Sequence, residues 1–193
     1  MSAIGRRLYT ANVGRLNLAT DEDIRGLLRQ AAADVEGHRF GAHFLGTEWS
    51  TVVDAWQLPS WEDYRDVQRL GRKTRLAEKQ RELLWSIFSR VRSALAEQER
   101  LTEPGMFGRV AAKMAEAAHP PFDFCVIDEA QDIAVAELRF LAALGGSRPN
   151  SLFFAGDLGQ RIFQTPFSWR ALGVDVRGRS HTLRINYLSL IHI

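Results

Sequence analysis

The sequence predicts an α/β fold, a helical part followed by a strand–helix–strand unit, on three observations. First, Leu83, Leu84, Ile87, Phe88, Val91 and Leu95 recur at steps of three and four, the pattern of one buried helix face. Second, two short apolar runs, 122–127 and 151–155, have strand length and are flanked by turn-forming residues. Third, the segment between them, Ala134–Leu144, is apolar, long enough for a helix, and closed by Gly145-Gly146. Strand, helix and strand at this spacing predict a βαβ unit with parallel strands buried on both faces.

The 193 residues suffice for one domain with a sizeable core or for two very small ones. With 46% hydrophobic and 25% charged residues, the composition excludes a disordered chain, a collagen-like repeat and a coiled-coil rod. No apolar run approaches the roughly 18 residues of a membrane helix, so no membrane partner is expected. Cys125 is the single cysteine, which rules out an internal disulfide, and Met1–Thr10 lacks the apolar stretch of a secretory signal. A cytoplasmic protein is expected. Lys and Arg number 25 against 23 Asp and Glu, a net charge of +2, yet residues 69–81 hold six basic side chains and one acid, Glu78. Such a run suits either a solvated helix face or a patch that meets phosphates.

Taken in order, Thr20 is placed to cap a helix over Asp21–Ala33, with Asp21, Glu22 and Asp23 at the positive end of its dipole. A second helical region follows Ser60, with Glu62 and Asp63 in its first turn, and leads into the periodic segment. Pro104-Gly105 reads as the end of that segment. Phe107–Ala118 reads as another helix, stopped by His119-Pro120-Pro121. The first strand covers Phe122–Ile127, the second Ser151–Ala155, and a third strand is expected at Ser180–Ile185. Parallel sheets gather functional groups at the C-terminal ends of their strands, and Asp128 and Asp157 lie at two such ends.

Asp128-Glu129 is the first chemical candidate. A carboxylate at a buried strand end can hold Mg²⁺ that also binds nucleotide phosphates, and a neighbouring acid can orient or deprotonate a water. The same residues also suit a plainer role, in which Asp128 and Asp132 cap the following helix. Gly156-Asp157-Leu158-Gly159-Gln160 adds a tight glycine turn and an amide at the next strand end, so the two polar loops point to one site. Trp49, Trp56, Trp61 and Trp85 read as core anchors. The histidines show no metal-ligand spacing, and Cys125, within an apolar strand, reads as a small buried side chain.

Val126-Ile127-Asp128-Glu129-Ala130-Gln131-Asp132 resembles the Walker B motif, motif II, of the UvrD/Rep-like family of superfamily-one DNA helicases. Gly156-Asp157-Leu158-Gly159-Gln160-Arg161-Ile162-Phe163 is similar to motif III of that family, and Leu183-Arg184-Ile185-Asn186-Tyr187 to the opening of motif IV. The resemblance implies part of a RecA-like P-loop NTPase sheet over residues 121–187, preceded over 1–120 by a mainly helical inserted subdomain and connecting helices. It implies ATP and Mg²⁺ as cofactors. Asp128 would bind the metal, Glu129 would be the base for the attacking water, and Gln160 would sense the γ-phosphate. Gln131 and Tyr187 would complete the nucleotide site. Phe163, Trp169 and Arg170 would hold single-stranded DNA, with duplex junctions as further partners. In many members the tryptophan follows the first aromatic more closely than Trp169 follows Phe163 here.

The resemblance therefore implies an ATP-dependent DNA helicase or translocase of 3′-to-5′ polarity. An inactive helicase-derived module that binds DNA or a protein partner, or part of a helicase–nuclease fusion in recombination, would carry the same motifs. The phosphate-cradling pattern G-x-x-x-x-G-K-[ST] does not occur in the chain. Gly71-Arg72-Lys73-Thr74 lacks its earlier glycine and a preceding strand. In the resembled family that loop precedes the inserted subdomain, so it is expected upstream of Met1 and a second motor domain downstream. The 193-residue chain by itself is expected not to hydrolyse ATP. Leu188 stands where the family has arginine, and residues 188–193 read as translated sequencing adapter, outside the native chain.

Overall fold

The computed structural model describes residues 1–67, 76–117, 119–145, 148–157 and 168–182. The chain is mixed α/β and mostly helical, and two parallel strands form a small sheet. In chain order the elements are helices α1 (Ser2–Asn12), α2 (Asp21–Ala33) and α3 (Ala42–Glu48), a π-helical turn at Trp49–Val53, and helices α4 (Trp61–Asp66), α5 (Glu78–Glu97) and α6 (Glu103–Glu116). Strand β1 (Cys125–Ile127), helix α7 (Val135–Gly145) and strand β2 (Leu152–Phe154) follow.

Local capping explains most of the helix starts. The Thr20 hydroxyl accepts from the Asp23 N–H at 3.2 Å, and the Asp23 carboxylate takes the Thr20 N–H at 2.8 Å. This reciprocal pair satisfies two of the donors that a helix start leaves open. The Ser60 hydroxyl caps α4 by accepting the Asp63 N–H at 3.2 Å. Pro104-Gly105 does not end the periodic helix, as expected from sequence. Helix α5 stops at Glu97, and Pro104 lies in the first turn of α6, where a missing N–H costs nothing. Thr102 caps that helix, which therefore starts before the expected Phe107.

The packing divides the chain into two cores. In one, α1, α6 and α7 pack together and onto the inner face of the sheet, with Phe107 and Phe140 rings 5.2 Å apart. Gly5 permits the α1–α6 contact, since a Cβ there would lie 2.6 Å from Phe107 Cε1. In the other, α2, α3, α4 and α5 close around Leu84, Ile87, Phe88 and Val91, all fully buried. There the Tyr64 hydroxyl donates to buried Glu48 at 2.9 Å. Trp49 is buried in this core, and Trp56, Trp61 and Trp85 are half-buried against it.

The chain leaves the sheet core after α1, builds the helical core, and returns at α6. Leu18 and Leu101 pair where it leaves and returns, with Ala19 N–H to Leu101 O at 2.8 Å and Leu101 N–H to Asn17 O at 2.9 Å. The helical core is thus an excursion whose two ends are tied together. Helices α1 and α6, both within the expected region 1–120 of inserted subdomain and connecting helices, share the core of the sheet. Helical periodicity marks a buried face and does not say which core buries it.

Strands β1 and β2 pair in parallel, Cys125 with Leu152, Val126 with Phe153 and Ile127 with Phe154. The expected parallel arrangement is present, but burial on both faces is not. Cys125, Ile127, Leu152 and Phe154 face the helices, whereas Val126 is 76% and Phe153 63% exposed. The paired length also begins at Cys125 rather than Phe122. Of the expected third strand, Ser180–Thr182 form no strand and Leu183–Ile185 lie outside the described residues. No helix among the described residues is long and apolar enough to cross a membrane.

Candidate functional site: an acidic junction at the strand ends

The parallel ladder continues past the strand ends and brings two loops together. The Ala155 N–H donates to the Ile127 carbonyl at 2.8 Å, and the Ala130 N–H donates to the Ala155 carbonyl at 2.8 Å. Between these anchors the chain turns sharply. Glu129 has φ +53° and ψ +43°, a left-handed conformation uncommon for glutamate, and a tight turn at Ala130–Asp132 follows. The Asp128 carboxylate accepts the Glu129 N–H at 2.9 Å and is exposed. Helix α7 is capped differently, by Glu137 on the Ala134 N–H at 2.9 Å. The Asp128 contact therefore serves the turn and not the helix start.

Gln131 joins the two loops. It is 4% exposed, and its amide Nε2 donates to the Glu129 carboxylate while Oε1 accepts the Asp157 N–H at 3.0 Å. A buried amide with both ends bonded has little freedom to move, since breaking either bond would leave a buried polar group unpaired. Gly156 makes the approach possible. A Cβ at that position would lie 2.8 Å from the Ala130 nitrogen and against Gln131 Oε1. The glycine of the second loop is thus required by the backbone of the first.

Asp128, Glu129, Gln131 and Asp157 are brought together, and the other expected residues fall into two groups. Gln160, Phe163 and Tyr187 lie outside the described residues. Trp169 and Arg170 lie beyond β2. Trp169 is half-buried, its ring edge-on to Phe154 at 4.8 Å and 77°, and Arg170 is exposed. The Trp169 ring therefore sits against the strand that leads into Gly156-Asp157.

The donor chemistry suits Mg²⁺ in part. That ion binds through one or two carboxylates plus waters and substrate phosphates, and exposed Asp128 beside Glu129 offers such carboxylates. Among the described residues no group of three or more His, Cys, Asp or Glu side chains could hold a metal ion by itself. The Cys125 thiol is pushed up by burial, with Arg148 opposing, which fits a packing role rather than a nucleophilic one.

Sequence reasoning missed a second polar cluster, where the two cores meet. The Asp54 carboxylate accepts from the Thr102 hydroxyl at 2.5 Å and from Gln57 Nε2 at 2.6 Å. Burial pushes its pKa up to about 6, against the opposing hydrogen bonds of Thr102 and Gln57 and the charge of Arg92. Nearby, Arg139 of α7 donates to the Trp56 carbonyl at 2.8 Å and lies 5.8 Å from that ring's centre. These partners are 48 and 83 residues apart, and no local pattern links them.

Fold and site together define a mixed α/β chain with an acidic, amide-braced junction at the C-terminal end of a parallel strand pair. No protein-family model, curated protein or solved structure matches this chain.

Proposed function

We propose that the chain belongs to an ATP-dependent DNA helicase or translocase and carries the hydrolytic and coupling junction of its first motor domain. The observation that carries this reading is the Gln131 bridge between the Glu129 carboxylate and the Asp157 N–H. It ties an acid suited to activating water to the loop whose continuation, through Gln160, would meet the γ-phosphate and the DNA. In this reading Asp128 holds Mg²⁺, which would supply charge neutralisation at the phosphates of bound ATP. Glu129 orients the attacking water and accepts its proton. Phe163, Trp169 and Arg170 would grip single-stranded DNA.

The test is ATP hydrolysis by a longer protein that carries residues 1–187 together with a phosphate-cradling loop. Single-stranded DNA should stimulate the rate, and Glu129→Gln should lower it by about 100-fold or more, the typical contribution of a general base. A longer protein without a phosphate-cradling loop, or an unchanged rate in the variant, would remove this reading. The 193-residue chain alone should show no magnesium-dependent hydrolysis, because the phosphate-cradling pattern is absent from it.

A further inference from the structure

The loop between α2 and α3 carries aromatic side chains of a different kind from those of the core. The rings of His38 and Phe40 lie 5.7 Å apart at 9°, and those of Phe40 and Phe44 5.5 Å apart at 21°. These are three nearly parallel rungs in the offset-stacked range. Core aromatics such as Phe88 and Tyr64 are fully buried, but all three rungs are only half-buried. His38 is held at both ring nitrogens. Nδ1 accepts the Phe40 N–H at 3.2 Å, which leaves Nε2 to donate to the Ala32 carbonyl at 2.9 Å. The imidazole is thereby fixed as a flat plate against Phe40.

The three rings line a cavity of about 460 Å³, within the size range of small-ligand sites. Leu76 and Leu83, on the α5 side, give it an apolar wall, and Gln80, whose Oε1 accepts the Ala77 N–H at 3.2 Å, adds an amide Nε2 that can donate. Among the described lining residues Arg39 is the one with a formal charge, and it is exposed. Leu76 and Gln80 also belong to the basic run 69–81. The cavity thus combines stacked π faces, an amide suited to a base edge, and a guanidinium suited to a phosphate.

We propose that this cavity takes an unpaired nucleotide of a single nucleic-acid strand. The base extends the aromatic ladder, Gln80 meets its polar edge, and Arg39 meets the adjoining phosphate. A base still paired in a duplex has its faces covered by its neighbours and cannot enter. The site lies in the helical core, distinct from the acidic junction, and requires neither ATP nor metal, so it stands or falls apart from the hydrolytic reading.

The test is fluorescence anisotropy of the 193-residue chain with short fluorescein-labelled oligothymidylate, oligouridylate and a blunt DNA duplex. Phe44→Leu keeps apolar packing but removes a π face, and should weaken single-strand binding about 5- to 150-fold, the range for one stacked base. Duplex affinity should be unchanged. Arg39→Ala, at an exposed position that folding does not need, should lower the salt dependence of single-strand binding by about one counterion. Binding and losses seen with oligothymidylate identify the strand as DNA, and those seen only with oligouridylate identify it as RNA. If neither single strand binds, or Phe44→Leu and Arg39→Ala both bind as the parent does, the proposal is wrong. An equal loss on the duplex also overturns it, since that reads general electrostatics or damage to the fold.

Discussion

The helical core and the sheet core are built from similar side chains but end in different states. Around Phe88 the helices α2–α5 seal their apolar faces, and a chain of rings from Trp49 through Phe88 and Tyr64 to Trp85 fills the interior. Around the sheet, α1, α6 and α7 seal one face and leave Phe124, Val126 and Phe153 more than 60% exposed on the other. The reason lies in the backbone. A helix satisfies its own hydrogen bonds and needs only its apolar stripe covered. A parallel strand pair has two faces and two open edges, and what lies against one face does nothing for the other.

Three measurements can break or sharpen this contrast, from the largest expected effect to the smallest. Phe88→Ala removes a fully buried ring from the sealed core and should cost about 3–5 kcal/mol in urea unfolding followed by tryptophan fluorescence. A loss of less than about 1 kcal/mol would show that the helical core is not closely packed.

The second measurement concerns Asp54, where the two cores meet. Its carboxyl rises from 3.8 to about 6 on folding, chiefly through burial. The folded chain therefore favours the protonated form. The contribution of this group is most favourable below pH 4 and declines by about 3 kcal/mol in all as pH rises through about 6. Asp54→Asn should flatten that part of the stability–pH curve; an unchanged curve would remove Asp54 from the account of how the cores meet.

The smallest effect is expected on the open face of the sheet. Val126→Ser should change stability by no more than about 0.5 kcal/mol, because an exposed side chain loses little burial. A loss several times larger in the same urea experiment would mean that this face is covered in solution, and the contrast between the cores would narrow.

Much of the local structure was legible in the residues. Thr20 announces a helix start because its hydroxyl satisfies a nearby N–H group, and it caps as expected; the helical region expected after Ser60 begins there, with Ser60 as its cap. The α5 stripe from Leu84 to Leu95 is buried as its spacing predicts. Pro104 misled for a physical reason: proline is unfavourable inside a helix but suited to a first turn, and its identity alone does not distinguish the end of one helix from the start of the next. Helix α1 and the π-helical turn at Trp49–Val53 were not anticipated, and neither starts with a side-chain cap.

At the candidate site, the sequence by itself determined which polar groups lie at the ends of which strands. Asp128 follows one apolar run and Gly156-Asp157 the other, and parallel pairing of those runs suffices to bring them near each other. Only the tertiary structure decided what joins them: the buried Gln131 amide, the left-handed turn at Glu129, and the close backbone approach at Gly156. It also decided that α1 and α6 belong with the sheet, that Asp54 meets Thr102, and that His38, Phe40 and Phe44 stack into a ladder. Periodicity and capping are local, set by side chains within a few residues of one another. Burial and long-range hydrogen bonds depend on which distant segments arrive at the same place, and that is settled by packing.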